Sequence, residues 1–250
     1  MHKNSILYKY LNNIYEDAYT YNTSNILKLL ERNPKATVLD VGCSDGQKTV
    51  IFNSKINSNT IIGIDDVPKR VNSAKKKNLI IKNSNLENKW PISNNSIDVI
   101  VSNQVIEHII DTDSFIQETL RVLKPNGYCV ISTENLSSWH NIFALILGFQ
   151  DFSHHTIKKT HINNPYSLHF GEKTLSWTKK DNSGADDSKH PHTKIFTLRS
   201  LVKSFEAYGF KFEKFLGSGY HPLFNPFSKI ASTLDPYHAH FIAIKMRKLT

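Results

Sequence analysis

The sequence predicts an α/β protein with a doubly wound, mostly parallel sheet. Three observations carry this expectation. From Ala36 onward, short apolar runs alternate with amphipathic segments of helical period, the pattern of βαβ units. The first run, "TVLDV", reaches Asp40 and then turns through Gly42 and Gly46 into a helix-forming stretch. The second, "TIIGID", closes on Asp65, about twenty residues beyond the turn, where doubly wound folds place an acid.

Taken in order, residues 1–35 read as a helical N-terminal element with Tyr8, Tyr15 and Tyr19 among polar residues. Ser24 has the chemistry of an N-cap for "NILKLLER", and Asn33-Pro34 stops that helix. Residues 36–133 form the core. Its strands are "TVLDV", "TIIGID", "LIIK", "IDVIVSN" and "GYCVIST", and its helices are "QKTVIFNSK", "PKRVNSAKKK" and "DSFIQETLRVLK". After Glu134 the period lapses. Residues 134–193 are rich in His, Ser, Asn and Lys and are interrupted by "NNPYS" and "DNSGADDSKHPH", which suits a functional insertion. Residues 194–250 complete the sheet, with the amphipathic "TLRSLVKSFEAYGF" stopped at Gly209, then "KFEKFLGSGY" and "HFIAIKMRK" as strands. No internal repeat appears.

Composition narrows the class. In 250 residues, 39% hydrophobic content supports a sizeable core. No run approaches the roughly 18 apolar residues of a membrane span, and "IFALILGF" is too short. The opening "MHKNSILYKYLNN" lacks the apolar centre of a signal peptide, so a cytoplasmic location is expected. Cys43 and Cys129 sit in strand-like runs and read as buried free thiols. The net charge of +9 raises the question of nucleic acid. The basic residues are dispersed, and the dense run Lys75–Lys77 falls at a helix end, where lysines are solvated and complement the helix dipole.

The turn after "TVLDV" has the chemistry of a nucleotide or nucleoside site. Glycines let the backbone approach a ligand, and the following helix offers unpaired N–H groups. The dinucleotide fingerprint is absent because Ser44 stands between Gly42 and Gly46. The resulting G-x-S-x-G also matches a nucleophile elbow, but no recognisable hydrolase triad accompanies it. A P-loop is excluded, since no GK[ST] follows.

Asp40-Val41-Gly42-Cys43-Ser44-Asp45-Gly46 stands in the place of D/E-x-G-x-G-x-G. It is followed by "WPISNNSIDVIVSNQVIEHI" and "LRVLKPNGYCVIST". Through these, the stretch from Val38 to Thr133 resembles the class I S-adenosylmethionine-dependent methyltransferases of the type 11 and type 12 kind. The resemblance implies a seven-stranded Rossmann-like sheet and S-adenosyl-L-methionine as cofactor. It places Asp40, Gly42, Cys43, Ser44 and Gly46 at the methionine end, and Asp65 with the adjoining Asp66 at the ribose. Asn85 and Leu86 fall at the adenine, and Asn103 lines the cofactor. Two residues depart from the pattern. Ser44 replaces a glycine but is small, and Asn85 replaces an aspartate while keeping an oxygen that accepts from the adenine amino group.

Methyl transfer is an in-line displacement from a sulfonium, so alignment supplies much of the rate and a base is optional. In this fold "SNQVIEHI" faces the methyl group. His108 is the candidate base for a hydroxyl acceptor, while Glu107 and His108 fit equally well as a helix start packed under the insertion. The chain has 12 histidines but no H-E-x-x-H or paired-cysteine spacing, so no metal site is expected. His154, His155, His161 and His169 are the histidines expected in an acceptor pocket. Trp139, Phe143, Phe149 and Phe152 suit either an apolar lid or core. The segment "STENLSSWHNIFALILGFQDFS", with "HTKIFTLRSLVKSFEAYGF", resembles a bacterial and archaeal subgroup often encoded among cell-surface glycan genes. In that subgroup an insertion caps the acceptor site.

The function expected is methylation of an oxygen on a small molecule or a sugar or glycan precursor. Two alternatives stay open. One is a nucleic-acid methyltransferase, which the charge suggests and "SNQV", in place of N/D-P-P-Y/F, opposes. The other is a cofactor-binding protein without catalysis. The sequence leaves the oligomeric state undetermined.

Overall fold

The computed structural model describes residues 6–77, 79–154, 164 and 192–249. Seven strands form one sheet: β1 (Thr37–Val41), β2 (Thr60–Asp65), β3 (Ile80–Asn83), β4 (Ile97–Asn103), β5 (Leu123–Glu134), β6 (Phe210–Ser218) and β7 (Phe241–Lys248). Their order is β3-β2-β1-β4-β5-β7-β6. The first five pair in parallel, and β7 runs antiparallel between β5 and β6. The chain starts in mid-sheet, winds outward to β3 and crosses back to β4. That reversal leaves a crevice at the C-terminal ends of β1 and β4, where ligands bind in open α/β sheets.

The period-2 alternation of the strands builds a core on both faces. On β1, Val38 packs with Ile26, Phe52 and Ile56 on one face. Its neighbour Leu39 packs with Phe115, Ile116 and Phe205 on the other. The first face is covered by α1 (Ile6–Leu29) and α2 (Gln47–Ile56), the second by α4 (Thr112–Val122) and α6 (Leu198–Ala207). Local chemistry sets the helix starts. Asp111 accepts from the Ser114 N–H at 3.0 Å before α4, and Thr197 accepts from the Ser200 N–H at 3.2 Å before α6. Pro68 opens α3 (Pro68–Lys75). Among the described residues, no helix is long and apolar enough to cross a membrane.

The N-terminal element differs from expectation. α1 is one helix of 24 residues, and Ser24 lies inside it rather than capping a second helix. Two of the polar side chains around Ser24 bond to the sheet, while Thr23 donates back to the Tyr19 carbonyl at 3.2 Å within a continuous helix. Asn22 donates to Ser132 Oγ at 2.9 Å, and Asn25 donates to the Gly217 carbonyl at 2.9 Å. Two helices were not anticipated, α5 (Trp139–Ile146) and α7 (Phe227–Leu234). The first lies in the stretch where the period lapses, the second between the last two strands. Cys43 and Cys129 are both buried free thiols.

Candidate functional site

At the end of β1 the chain takes left-handed backbone three times within five residues, at Gly42 (φ 74), Ser44 (φ 49) and Gly46 (φ 78). Glycine is required at the first position on space as well as conformation. A Cβ on Gly42 would fall 2.4 Å from Val105 Cγ2. The turn is lashed to β2 by main-chain bonds, with the Gly42 and Cys43 N–H groups donating to the Ile64 carbonyl at 2.9 and 3.0 Å. Gly63 on β2 has no room for a side chain because the Cys43 sulfur lies against it.

Asp65 ends β2 with its carboxylate already oriented. Oδ2 accepts from the Ser44 N–H and Oδ1 from the Val67 N–H, both at 2.9 Å. Each oxygen keeps a further lone pair. Burial raises the Asp65 carboxyl against these bonds. Asp40 is buried beneath the turn and accepts from the Thr49 hydroxyl at 2.5 Å; burial pushes it up to about 7. Burial also pushes the Cys43 thiol upward, so it is no thiolate at neutral pH. Lys77, last of the three-lysine run, donates to the Asp45 carbonyl at 2.6 Å and so braces the turn from outside.

The remaining residues expected at the cofactor sit at neighbouring strand ends. Asp66 adjoins Asp65 and is half-buried. Asn85, in the loop after β3, is exposed, and its Oδ1 accepts from the Glu87 N–H at 2.9 Å. The half-buried Leu86 packs against the core, its carbonyl accepting from the Trp90 indole at 3.3 Å. Asn103 closes β4, and its Oδ1 accepts from Asn22 Nδ2 at 3.1 Å. The fold thus gathers Asp40, the Gly42–Gly46 turn, Asp65, Asp66, Asn85, Leu86 and Asn103 along the C-terminal edge of β1 to β4.

Next along that edge lies a cluster of ionisable side chains. Glu107 and His108 occupy a short 3₁₀ turn after β4. Glu107 is buried and accepts from the Thr133 hydroxyl at 2.9 Å. The His108 ring is half-buried, with its centroid 4.6 Å from that of His192. His192 Nδ1 lies 3.2 Å from Glu134 Oε2 at the end of β5. Backbone bonds clamp the returning chain here, the Thr193 N–H donating to the Glu107 carbonyl at 2.8 Å.

The charges sort themselves. Burial opposes the His192 charge, but Glu134 and Glu107 outweigh it and hold His192 up to about 9. Burial works against Glu134 too, and His192 brings it below the ordinary carboxylate range. Burial leaves Glu107 pushed up to about 7 despite His192. A His192–Glu134 ion pair therefore stands beside a carboxyl that exchanges its proton near neutrality.

Of the histidines expected in an acceptor pocket, His154 is described, its N–H donating to Asp151 Oδ1 at 2.8 Å. His155, His161 and His169 lie outside the described residues. Phe143, Phe149 and Phe152 line one cavity of about 280 Å³. Trp139 instead donates its indole N–H to Asp235 at 3.0 Å. Sequence reading missed Glu134, His192 and Asn22. Glu134 alone left a signal, as an acid ending an apolar strand like Asp65. Where no metal spacing was found, the described residues nonetheless form two groups able to converge on an ion: Glu107–His108–His192 and His140–His221–His240.

A doubly wound sheet whose first turn carries left-handed glycines and whose second strand ends in a preset carboxylate defines a nucleoside-cofactor-binding α/β protein. Comparison with known proteins makes the class particular. A family model described as a methyltransferase domain matches residues 14–214. The chain belongs to this family, the class I S-adenosylmethionine-dependent methyltransferases. It is 29% identical over 122 residues to a mitochondrial ubiquinone biosynthesis O-methyltransferase of Bos taurus, a match covering 45% of this chain and 32% of that one. It is 30% identical over 124 residues to a Mycolicibacterium smegmatis protein ascribed to the S-adenosylmethionine-dependent methyltransferases, covering 48% of this chain and 47% of the other. The chain thus spans less than half the length of these curated relatives. A solved structure from Listeria monocytogenes, ascribed to the same enzymes, shares the fold with a TM-score of 0.61 at 15% identity. That match covers 95% of this chain and 99% of that one.

Proposed function

We propose that the protein transfers a methyl group from S-adenosylmethionine to an oxygen of a small acceptor. The observation that carries this reading is adjacency. A preset nucleoside cradle, Gly42–Gly46 with Asp65, lies on the same sheet edge as a proton-exchanging cluster at the ends of β4 and β5. In this reading Asp65 takes the ribose hydroxyls with Asp66 beside it, Asn85 and Leu86 meet the adenine, and Asp40, Gly42, Cys43, Ser44, Gly46 and Asn103 enclose the methionine end.

On the acceptor side, His108 removes the hydroxyl proton as the oxygen attacks the methyl carbon. The sulfonium leaves as the neutral thioether. That proton leaves an imidazolium on His108, and the neighbouring Glu107, in its carboxylate form, balances the new charge from within 4.8 Å. Aromatic side chains around the neighbouring cavity suit an acceptor with a ring or other apolar face. A sugar or glycan precursor is the acceptor class that the resemblance of residues 132–153 and 192–210 supports; most of the expected cap, 134–193, lies outside the described residues.

The test is methyl incorporation from labelled cofactor into nucleotide-sugar and glycan extracts, small phenols, and duplex DNA and RNA, at two salt concentrations. Label in a small-molecule fraction, insensitive to salt, is the expected result. Salt-sensitive label in nucleic acid alone would overturn it, because each phosphate neutralised by a protein releases counterions. Tight cofactor binding with no label in any fraction would favour a binding protein without catalysis.

A further inference from the structure

Three histidines far apart in the chain meet beside the acceptor edge. His140 stands in the first turn of α5, His221 in the turn after β6 and His240 immediately before β7. Their ring centroids are 5.1 Å (His140–His221), 4.8 Å (His140–His240) and 4.6 Å (His221–His240) apart. One nitrogen from each ring lies within 4.8 Å of the other two. His240 Nδ1 and His140 Nε2 are 3.0 Å apart, a distance at which one ring donates to the other. The Nε2 atoms of His221 and His240 are buried with no hydrogen-bond partner among the described residues.

Packing three imidazoles together with two orphaned nitrogens is costly unless something answers their lone pairs. Burial and then mutual repulsion hold His140 and His240 well below the usual histidine range, and burial takes His221 down to about 4. Neutral imidazoles are the form that binds a cation.

The surrounding frame is also specific. Asp235 accepts from the indole of Trp139 at 3.0 Å and from the hydroxyl of Tyr220 at 2.7 Å. Those two residues directly precede His140 and His221. Asn135 donates to the carbonyl of Ala239, the residue before His240, at 2.9 Å. One carboxylate and one amide therefore fix the backbone entry to all three rings. Glu134 Oε1 lies 4.0 Å from His240 Nε2, close enough to orient that ring or balance charge.

We propose that His140, His221 and His240 bind a late first-row divalent metal ion, of which Zn²⁺ is the type, with an open coordination position facing the cavity. Three nitrogen donors select Zn²⁺, Ni²⁺ or Cu²⁺ over Mg²⁺ and Ca²⁺, which take oxygen. An ion about 2.0–2.1 Å from each nitrogen in a tetrahedral site spaces the ligand atoms about 3.3–3.4 Å apart, so ring rotations draw the cluster inward. Both His140 and His221 line the cavity of about 280 Å³ with Phe143, Phe149 and Phe152. The ligand class for the open position is thus a small molecule with an apolar body and one oxygen or nitrogen donor. The site needs neither S-adenosylmethionine nor His108 and stands independently of the methyl-transfer reading.

The full chain, stripped with chelator, is titrated with Co²⁺ and read by its visible absorption, then challenged with Zn²⁺. One equivalent should give the intense bands of a four-coordinate site, and Zn²⁺ should abolish them. His140→Ala and His221→Ala should each weaken binding by about 100-fold or more. His108→Ala, which disables the other ionisable group, should leave it unchanged. Absence of binding, or equal binding by the double variant H140A/H221A, would overturn the site. Should the alanine variants lose their fold by circular dichroism, crystals of the unaltered chain with Zn²⁺ decide the matter. An anomalous peak among the three rings supports the site, and a peak elsewhere or none refutes it.

Discussion

The two halves of the sheet's C-terminal edge are built differently. On the β1–β2 side the turn comes from a short span of chain and is ordered chiefly through its backbone. The Gly42, Cys43, Ser44 and Val67 N–H groups are all committed to β2 or its terminal carboxylate. On the β4–β5–β7 side the groups are side chains drawn from positions 107, 108, 134, 140, 192, 221 and 240. A shared cofactor can be held by one main-chain turn, whereas an acceptor site is assembled from whatever long-range packing brings to the opening. Robustness should differ accordingly. Changes on the first side should act through affinity, and changes on the second through rate and pH.

The largest expected effect tests the second half of that contrast. His108→Ala should lower the turnover number by about 10²–10⁴-fold, the usual cost of a lost general base, with cofactor affinity unchanged. The check is single-turnover transfer to an identified acceptor alongside calorimetry with the demethylated cofactor. An unchanged turnover number would reduce His108 to a packing residue beside His192. Loss of cofactor binding would dissolve the proposed separation between the two sides.

Asp65→Ala tests the first half. Removing two charge-assisted hydrogen bonds to the ribose should cost about 2–4 kcal/mol of S-adenosylmethionine affinity. The same change releases the Ser44 and Val67 N–H groups, so the turn itself loosens. Calorimetry with S-adenosylmethionine, its demethylated product and NAD measures this. NAD binding as tightly as S-adenosylmethionine in the unaltered protein would contradict the proposed cradle.

The same contrast explains what could be read beforehand. That five strands would form a mostly parallel sheet followed from alternating apolar and amphipathic segments, because each βαβ unit is a local object. The turn was legible because glycine at Gly42 answers a backbone demand that only a few neighbouring residues create. Ser24 misled because capping chemistry and buried tertiary bonding use the same short polar side chains, and here Asn22 and Asn25 reach the sheet. The cluster His140–His221–His240 had no local signature at all. Its ligands are separated by strand β6 and helix α7, so no spacing rule connects them. His192 was invisible for the same reason, since only the backbone bond from Thr193 to Glu107 brings that part of the chain to the cluster.

A pH experiment sharpens the electrostatic side of the comparison. Glu107 has a folded value of about 7 against 4.5 unfolded. Between those values the folded protein holds a proton that the unfolded chain has released, so stability falls as pH rises across the window. The loss amounts to up to about 3 kcal/mol and is complete above the folded value. Glu107→Gln keeps an acceptor for the Thr133 hydroxyl but cannot ionise. Its thermal midpoint relative to the unaltered protein should therefore climb from pH 4.5 to about 7 and then level off. A constant difference across that range would show that Glu107 ionises as an ordinary surface glutamate does.

The smallest effect concerns the residue that departs from the glycine pattern. Ser44 holds φ 49, a conformation that costs an L-residue roughly 1–2 kcal/mol. Ser44→Gly removes that strain but adds about 0.5–1 kcal/mol of backbone entropy to the unfolded chain. The net gain should be about 0.5 kcal/mol, a rise of about 1–2 °C in thermal midpoint for a chain of this size. The Ser44 N–H still donates to Asp65 in the variant, because that bond belongs to the backbone. Cofactor affinity should accordingly stay within about twofold, well inside the energy of one net hydrogen bond. A lower midpoint with weaker binding would mean that the serine hydroxyl contributes more than its backbone strain costs. Ser44 would then be a side-chain ligand, and the cofactor half of the edge would no longer be chiefly a main-chain device.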